Sequence, residues 1–502
     1  MKNRLMRVVL VVAWLLGIAM AAQAQSGAQW EALDSYIQSA MRDAKLPGLA
    51  VGIVQNGNPV YVKGFGVRDI TTGQPVTADT LFDIGSCTKA FTAGAVGILV
   101  DEGKIHWDDR VDEYIPFFHL YDPLADENVT MRDLLTHRTG MGGTDLLWYG
   151  GSFSLPEIIR RVRYIKPEFG FRARFEYQNV MYATAGYAVG QASGGTWEDF
   201  VREHVFTPLG MSGADFSATD AQNAADHATP HDLKNGKVVT IPWRNIDDVA
   251  PAGSINAGVA DMTKWIAMQL NDGMADGTQI ISAKSLREMH TAQIVVPQGG
   301  EFDLFFPRLL SLSYGMGWFI EDYQGHLIWM HPGDIDGFAS LVVLLPEVKT
   351  GFVILTNLDH TALRAGLGWH LIDQFLHLPQ QDWTAHFVKV AEQFTAMEQK
   401  QEEQGKNPKY PNTHPSRELA AYAGTYTNKA YGDVAVSLEG DHLQMKFNSF
   451  AGRLSHFQYD TFDANLGGFG TARVLFSLDE DGDVSKATID GIEFERTNGA
   501  AQ

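Results

Sequence analysis

Phe82-Asp83-Ile84-Gly85-Ser86-Cys87-Thr88-Lys89-Ala90-Phe91-Thr92-Ala93 is the stretch from which the rest of the chain is best read. It enters extended, turns at Gly85, and continues as a helix of small residues over Thr88–Glu102 that stops at Gly103. The apolar face of that helix is wide, which predicts a central, buried element. Ser86 and Lys89 are three residues apart, so one helical turn brings their side chains together. A serine hydroxyl is a weak nucleophile until a base takes its proton, and a desolvated lysine can be that base. The helix start adds N–H groups and the positive end of the dipole where an anion would form. The same spacing also fits an N-cap serine followed by an exposed helical lysine. Cys87, the single cysteine, reads as a small buried residue under the helix start.

Upstream, Trp30–Ala44 has helical periodicity, and Leu49–Val54 and Val60–Val67 are β-rich runs separated by a turn containing Asn56-Gly57, a hairpin signal. Downstream, residues 105–250 mix short helices with loops, and Met262–Asn271 is helical. Four successive antiparallel strands are expected at Gly315–Ile320, Leu327–His331, Phe338–Leu345 and Gly351–Thr356, closed by a helix over Leu363–Leu376. Strands at both ends and helices between them predict an α+β fold. One antiparallel sheet is built from the two termini and flanked by helices, with an all-helical insertion. A polar helix over Phe387–Gln404 and a Gly405-Lys406-Asn407-Pro408 linker follow, and residues 417–498 read as short strands of a small all-β barrel or sandwich. The expected divisions are 1–24, 25–380, 381–412 and 413–502.

The first division reads as a cleavable leader. Lys2, Arg4 and Arg7 precede an apolar run from Val8 to Met20, and Ala22-Gln23-Ala24 offers small residues for a cut before Gln25. The apolar run is short for a membrane span. A periplasmic or secreted chain without a stable membrane anchor is expected. The formal charge of −21 over 502 residues argues against nucleic acid or an anionic membrane surface as partners. A lone cysteine cannot form an internal disulfide, so stability must come from the core.

Two further segments bear on Ser86. Tyr177 lies two residues before Asn179; a phenol can relay a proton from a serine to a leaving group, and an amide can hold both a lysine and a substrate carbonyl. His331-Pro332-Gly333 ends the strand Leu327–Met330, where a glycine allows close backbone approach and the Asp334 N–H could join that of Ser86 around an oxyanion. Each segment alone also fits a core tyrosine, a turn asparagine or a structural histidine. Thr130–Met141 reads as a capped helix ending at Gly140, with His137 a backbone-bonding scaffold residue. His227 and His231 have zinc-like spacing, but Pro230 breaks the helix that such a site needs. Asp479, Asp481 and Asp483 read as a solvated turn, lacking the glycine and glutamate of a calcium loop. Neither a metal nor a cofactor is expected.

Ser86-x-x-Lys89, Tyr177-x-Asn179 and His331-x-Gly333, in that order, resemble the three active-site motifs of the serine β-lactamase and penicillin-binding-protein superfamily. Leu134–Gly140 and the stretch from Gly337 to Glu347 resemble its class C branch, and the resemblance covers roughly residues 30–380. Residues 417–498 resemble the lipocalin-like domain often appended to such proteins. The resemblance implies Ser86 as acylated nucleophile, Lys89 as base, Tyr177 as proton shuttle and deacylation base, and Asn179 as substrate positioner. His331 stands where many β-lactamases carry a lysine, which implies weaker handling of a substrate carboxylate. Pro332 removes a strand-edge donor. The implied reaction is hydrolysis of an amide or ester of a small acyl compound or short peptide. A strict β-lactamase is one alternative, and a non-catalytic ligand-binding relative is another. For the barrel, capping the site, restricting substrate length, mediating homo-oligomers and adding stability are all open roles.

Overall fold

The computed structural model describes residues 28–307, 309–406, 410–466 and 470–497. The leader reading at 1–24 and residues 407–409 of the expected linker lie outside them. The chain opens with helix α1 (28–43), then strand β1 (Gly48–Gln55) and strand β2 (Asn58–Gly66). Their turn puts both Asn56 (φ 52°) and Gly57 (φ 78°) in the left-handed region, the geometry that Asn-Gly favours in a tight hairpin. Helix α2 (Thr88–Asp101) is buried from Thr88 to Leu99, so it is covered on every side rather than amphipathic, as a central helix must be. Phe91 in α2 stacks on Trp265 of helix α4 (Val259–Leu270) with ring centroids 4.0 Å apart. Between them lies the mostly helical stretch that includes α3 (Asn179–Ser193).

The rest of the sheet follows as β3 (Ile294–Val295), β4 (Ser311–Tyr314), β5 (Phe319–Tyr323), β6 (His326–Ile335), β7 (Phe338–Leu345) and β8 (Thr350–Thr356). The eight strands run in the order β2-β1-β8-β7-β6-β5-β4-β3. The first and last strands therefore meet in the sheet interior, with Leu49 opposite Thr356 and Gln55 opposite Thr350. Helices α5 (Ala362–Phe375) and α6 (Trp383–Lys406) complete this part. Eight further strands, from Gly424–Asn428 to Ile492–Thr497, close into an antiparallel barrel. The α+β sheet-and-helix fold followed by a barrel is thus as the sequence predicts. Among the described residues no helix is long and apolar enough to cross a membrane.

Two strand expectations are corrected. The strand expected at Gly315–Ile320 is split, because Gly317 takes φ 79° and its Cα packs against the start of α2, where a Cβ would lie 2.7 Å from Ala90 Cα. Residues 315–318 are therefore the β4–β5 turn. The strand expected to end at His331 continues through Pro332 and Gly333 to Ile335. Pairing is Ile335 with Phe338, Asp334 with Ala339, Gly333 with Ser340 and Pro332 with Leu341. Bonded and open pairs alternate in an antiparallel ladder. Counting back from the turn at Asp336-Gly337, Pro332 falls at an open position, and β5 pairs no further than Met330. The missing N–H therefore costs no ladder bond.

Glu321, between Leu312 and Ile328 in the sheet, is 1 % exposed, and neither carboxylate oxygen has a hydrogen-bond partner among the described residues. Burial holds its carboxyl well above the usual 4.5. A raised carboxyl contributes its full stability only below its unfolded value, and that contribution is lost as pH climbs through the folded value. Glu321→Met should therefore stabilise the protein at pH 8 by about 1–3 kcal/mol. The advantage should shrink toward pH 4.5; melting curves of both proteins across that range check it.

Candidate active site

Ser86 sits on the single 3₁₀ turn Gly85–Cys87 that feeds α2. Gly85 takes φ 51°, and a Cβ there would lie 2.7 Å from the Asp334 nitrogen. The buried Asp83 carboxylate accepts the Gly85 N–H at 2.8 Å and fixes the turn. On β6, a Cβ on Gly333 would overlap the Ile84 carbonyl oxygen and lie in contact with the Ser340 hydroxyl, which itself donates to Ile84 O at 2.6 Å. Two glycines thus let the nucleophile turn and strand β6 touch backbone to backbone. Asp334–Ala339 is an open pair, so the Asp334 N–H points away from β7, toward the side where Gly85 lies. Cys87 contacts His331 O (3.1 Å) and Ser340 Oγ (3.2 Å), and burial pushes its thiol up to about 12. It packs beneath the turn as expected, with no thiolate to react.

Lys89 is fully buried, and its Nζ has three near partners: Ser86 Oγ at 2.9 Å, Asn179 Oδ1 at 2.7 Å and Ala252 O at 2.8 Å. Burial pulls its pKa down to about 7, against the opposing charge of Asp145. The two carbonyl oxygens can only accept. A neutral amine therefore gives both its hydrogens to Asn179 and Ala252 and presents its lone pair to the Ser86 hydroxyl. That is the arrangement a general base requires.

Asn179 opens α3, and its Nδ2 reaches Asp145 Oδ1 at 3.2 Å. Tyr177 lies in the extended approach to that helix, with its ring centroid 4.8 Å from Lys89 Nζ. Burial holds its phenol well above 10, a shift that the Ser86 hydroxyl partly opposes. His137 supports this approach, as expected of a scaffold residue: its Nδ1 accepts the Gln178 N–H at 3.0 Å, and its ring lies 4.3 Å from that of Tyr177. Its turn is held by buried Asp133, which takes Arg138 at 2.5 Å and Arg172 at 2.6 Å.

His331 is 1 % exposed. Its Nδ1 contacts Pro332 O at 2.6 Å, an acceptor only, so Nδ1 carries the hydrogen and Nε2 accepts from the Tyr314 hydroxyl at 3.0 Å. Burial first, and Lys89 second, push its pKa down to about 3. The imidazole is a neutral strut beneath the cleft, with both nitrogens engaged. Of the histidines with metal-like spacing, His231 uses Nδ1 on Asn357 O and Nε2 on the Ile70 N–H, and His227 Nδ1 meets Ala224 O.

Ser86, Lys89, Tyr177 and Asn179 thus meet around one amine, while Gly333 and Asp334 form the facing backbone. Three contributors escape the sequence reading. Tyr314 holds His331; Arg364 bonds Gly333 O (2.7 Å), Asp334 Oδ1 (2.8 Å) and Ser340 O (3.2 Å); Asp145 bonds Asn179. None sits in a motif or at an informative spacing. A cavity of about 730 Å³ opens beside Asn179 and Asp334. Asp145, Asp232, Asp336 and Asp359 line it along with Asp334, against Lys234 and Arg244, and Arg244 is paired to Asp336 at 2.8 Å.

Residues 33–377 match the family model described as Beta-lactamase, and residues 408–500 match one described as a domain of unknown function, DUF3471. The chain is 27 % identical over 471 residues to unguisins hydrolase ungD of Aspergillus violaceofuscus, covering 87 % of this chain and 82 % of that one. The octameric penicillin-binding protein homologue from Pyrococcus abyssi superposes with a TM-score of 0.60 at 22 % identity, covering 92 % of this chain and 98 % of that one. A D-stereospecific amidohydrolase from Streptomyces sp. superposes with a TM-score of 0.52 at 21 % identity, covering 65 % and 94 %. At these identities the two structures establish a shared fold.

Proposed function

The chain belongs to the beta-lactamase family, and from that premise we propose that it is an exported serine hydrolase that opens amide or ester bonds of short peptides and small acyl compounds through an acyl-enzyme on Ser86. The observation that carries this reading is the set of partners around Lys89 Nζ, which leaves its lone pair facing the Ser86 hydroxyl. Lys89 takes the Ser86 proton as Oγ attacks the carbonyl, and the oxyanion rests on the N–H groups of Ser86 and Asp334. Tyr177, which holds its proton at neutral pH, gives it to the leaving group. The phenolate left behind lies beside the now cationic Lys89. It takes a proton from water, whose oxygen attacks the acyl carbon, and Lys89 returns its proton to Ser86 as the ester breaks.

The substrate reading follows from charge. His331 is neutral and occupied, so it offers no cation to a substrate carboxylate, and the cleft lining holds more carboxylates than cations. Both features disfavour anionic β-lactams and favour a peptide without that anionic group, and the name of the Streptomyces neighbour, a D-stereospecific amidohydrolase, suggests including peptides of D-amino acids. A small-ester substrate fits the same machinery.

Fluorophosphonate should add to wild-type protein on the peptide containing Ser86, at a rate that rises with pH and levels off above about 7, as Lys89 loses its proton. Label on another residue would overturn the assignment. A panel of D-alanyl amides, p-nitrophenyl butyrate and nitrocefin should be turned over in that order of preference. Ligand binding without a burst on any donor would instead indicate a binding protein.

A further inference from the structure

Among the described residues, none from the barrel lines the cavity beside Asn179 and Asp334. The barrel does hold the loop that forms one wall. Residues 143–150 run between the barrel and Asn179, and three of their carbonyls find partners on the barrel. Gly143 O accepts from the Tyr431 hydroxyl at 3.1 Å, Leu146 O from Asn448 Nδ2 at 3.4 Å, and Gly150 O from the Ser449 N–H at 3.0 Å. Phe450, at the tip of the hairpin between His442–Phe447 and Phe450–Gln458, stacks on Tyr149 with centroids 5.9 Å apart and planes 20° apart. The seam is close: a Cβ on Gly150 would lie 2.6 Å from Phe450 Cε2 and Ser449 Oγ.

The far side of the same loop faces the reacting groups. Asp145 Oδ1 holds Asn179 Nδ2 at 3.2 Å, and Asn179 Oδ1 holds Lys89 Nζ at 2.7 Å. Tyr149 OH donates to Asp336 at 2.8 Å, beside Arg244. Within the main domain the loop is also tied through Thr144, whose hydroxyl donates to Gln178 Oε1 at 2.6 Å, through Arg244, which lies over the Tyr149 ring, and by the fully buried Leu147. We propose that the barrel is a positioning element of the active site: Tyr431, Ser449 and Phe450 clamp the 143–150 loop so that Asp145 and Tyr149 keep Asn179 and the cleft wall in register. The clamp rests on the hydrolase reading above, since it acts through Asn179 on Lys89.

The test uses the full chain carrying Tyr431→Phe and Phe450→Ala together, with Phe450→Tyr as the conservative variant. Misplacing a positioning group by about an ångström costs on the order of a hundredfold. The double variant should therefore lose about ten- to a hundredfold in kcat/KM and in the rate of Ser86 labelling. Amides of residues 143–150 should exchange hydrogen faster, while the sheet amides do not. Phe450→Tyr should retain wild-type rates. A double variant that melts earlier but labels at the wild-type rate, or one whose loop exchange is unchanged, would reduce the barrel to a stabilising appendage and overturn the clamp. A wild-type protein that takes no label at Ser86 would instead overturn the hydrolase reading, and the clamp with it.

Discussion

Ser86→Ala or Lys89→Met should each lower kcat/KM by about ten-thousand- to a million-fold, and the double variant should be hardly worse than either alone. The two side chains act as one unit, because the hydroxyl is useful only when the amine takes its proton, and groups that act as a unit are strongly non-additive. Lys89 makes this sharper than a simple proximity argument would. Its amine is fully buried and shares its hydrogens between Asn179 Oδ1 and Ala252 O, so a methionine in its place removes the base and leaves both acceptors without their donor. Kinetics of the three variants with one ester and one amide donor would check the prediction. Losses that multiply in the double variant would mean that the residues serve separate steps.

Gly333→Ala should cost on the order of a hundred- to a thousandfold in acylation, the loss expected when one oxyanion donor is displaced. The added methyl meets Ile84 O, a backbone atom without a flexible side chain to yield. Strand β6 must then move off the nucleophile turn and carry the Asp334 N–H with it. Ser340 Oγ, which donates to Ile84 O, lies on the same side and would be disturbed with it. The slower labelling should be accompanied by a lower melting temperature. Arg364, which holds Gly333 O and Asp334 from behind, resists the displacement, so the strand should shift rather than unpair. An alanine variant that labels at the wild-type rate would exclude Asp334 from the oxyanion site.

Spacing was readable in the sequence, and depth was not. Ser86 with Lys89, and Tyr177 with Asn179, are local patterns; helix geometry carries the first pair into the site, and the extended entry to α3 carries the second. The Asn56-Gly57 hairpin and the meeting of β1 with β8 follow from turn chemistry and from strands at both ends of the domain. His331 differs. A histidine in an apolar strand reads the same whether it faces the cleft or lies beneath it, and only the assembled sheet puts Tyr314 on its Nε2. Asp145 and Arg364 reach the site from a loop and a helix whose local sequences carry no signal. The break at Gly315–Trp318 arises from the fit of Gly317 against α2, a tertiary contact that local β-propensity cannot register.

The adjacency of β1 and β8 also dictates the order in which this molecule can become itself. Leu49 waits for Thr356, a partner roughly 300 residues later in the chain, and pairings of such long range are slow to form. Until β8 is available, β1 and its hairpin have no neighbour on one edge, and the central helix α2 has an incomplete sheet to rest on. The nucleophile turn is held between α2 and β6, so it acquires its final shape only when the late strands have docked. A nascent or truncated chain ending before residue 350 would thus carry Ser86, Lys89 and β6 but lack β8, the strand that joins β7 and β6 to β1, and the chemistry would switch on only at the completion of folding.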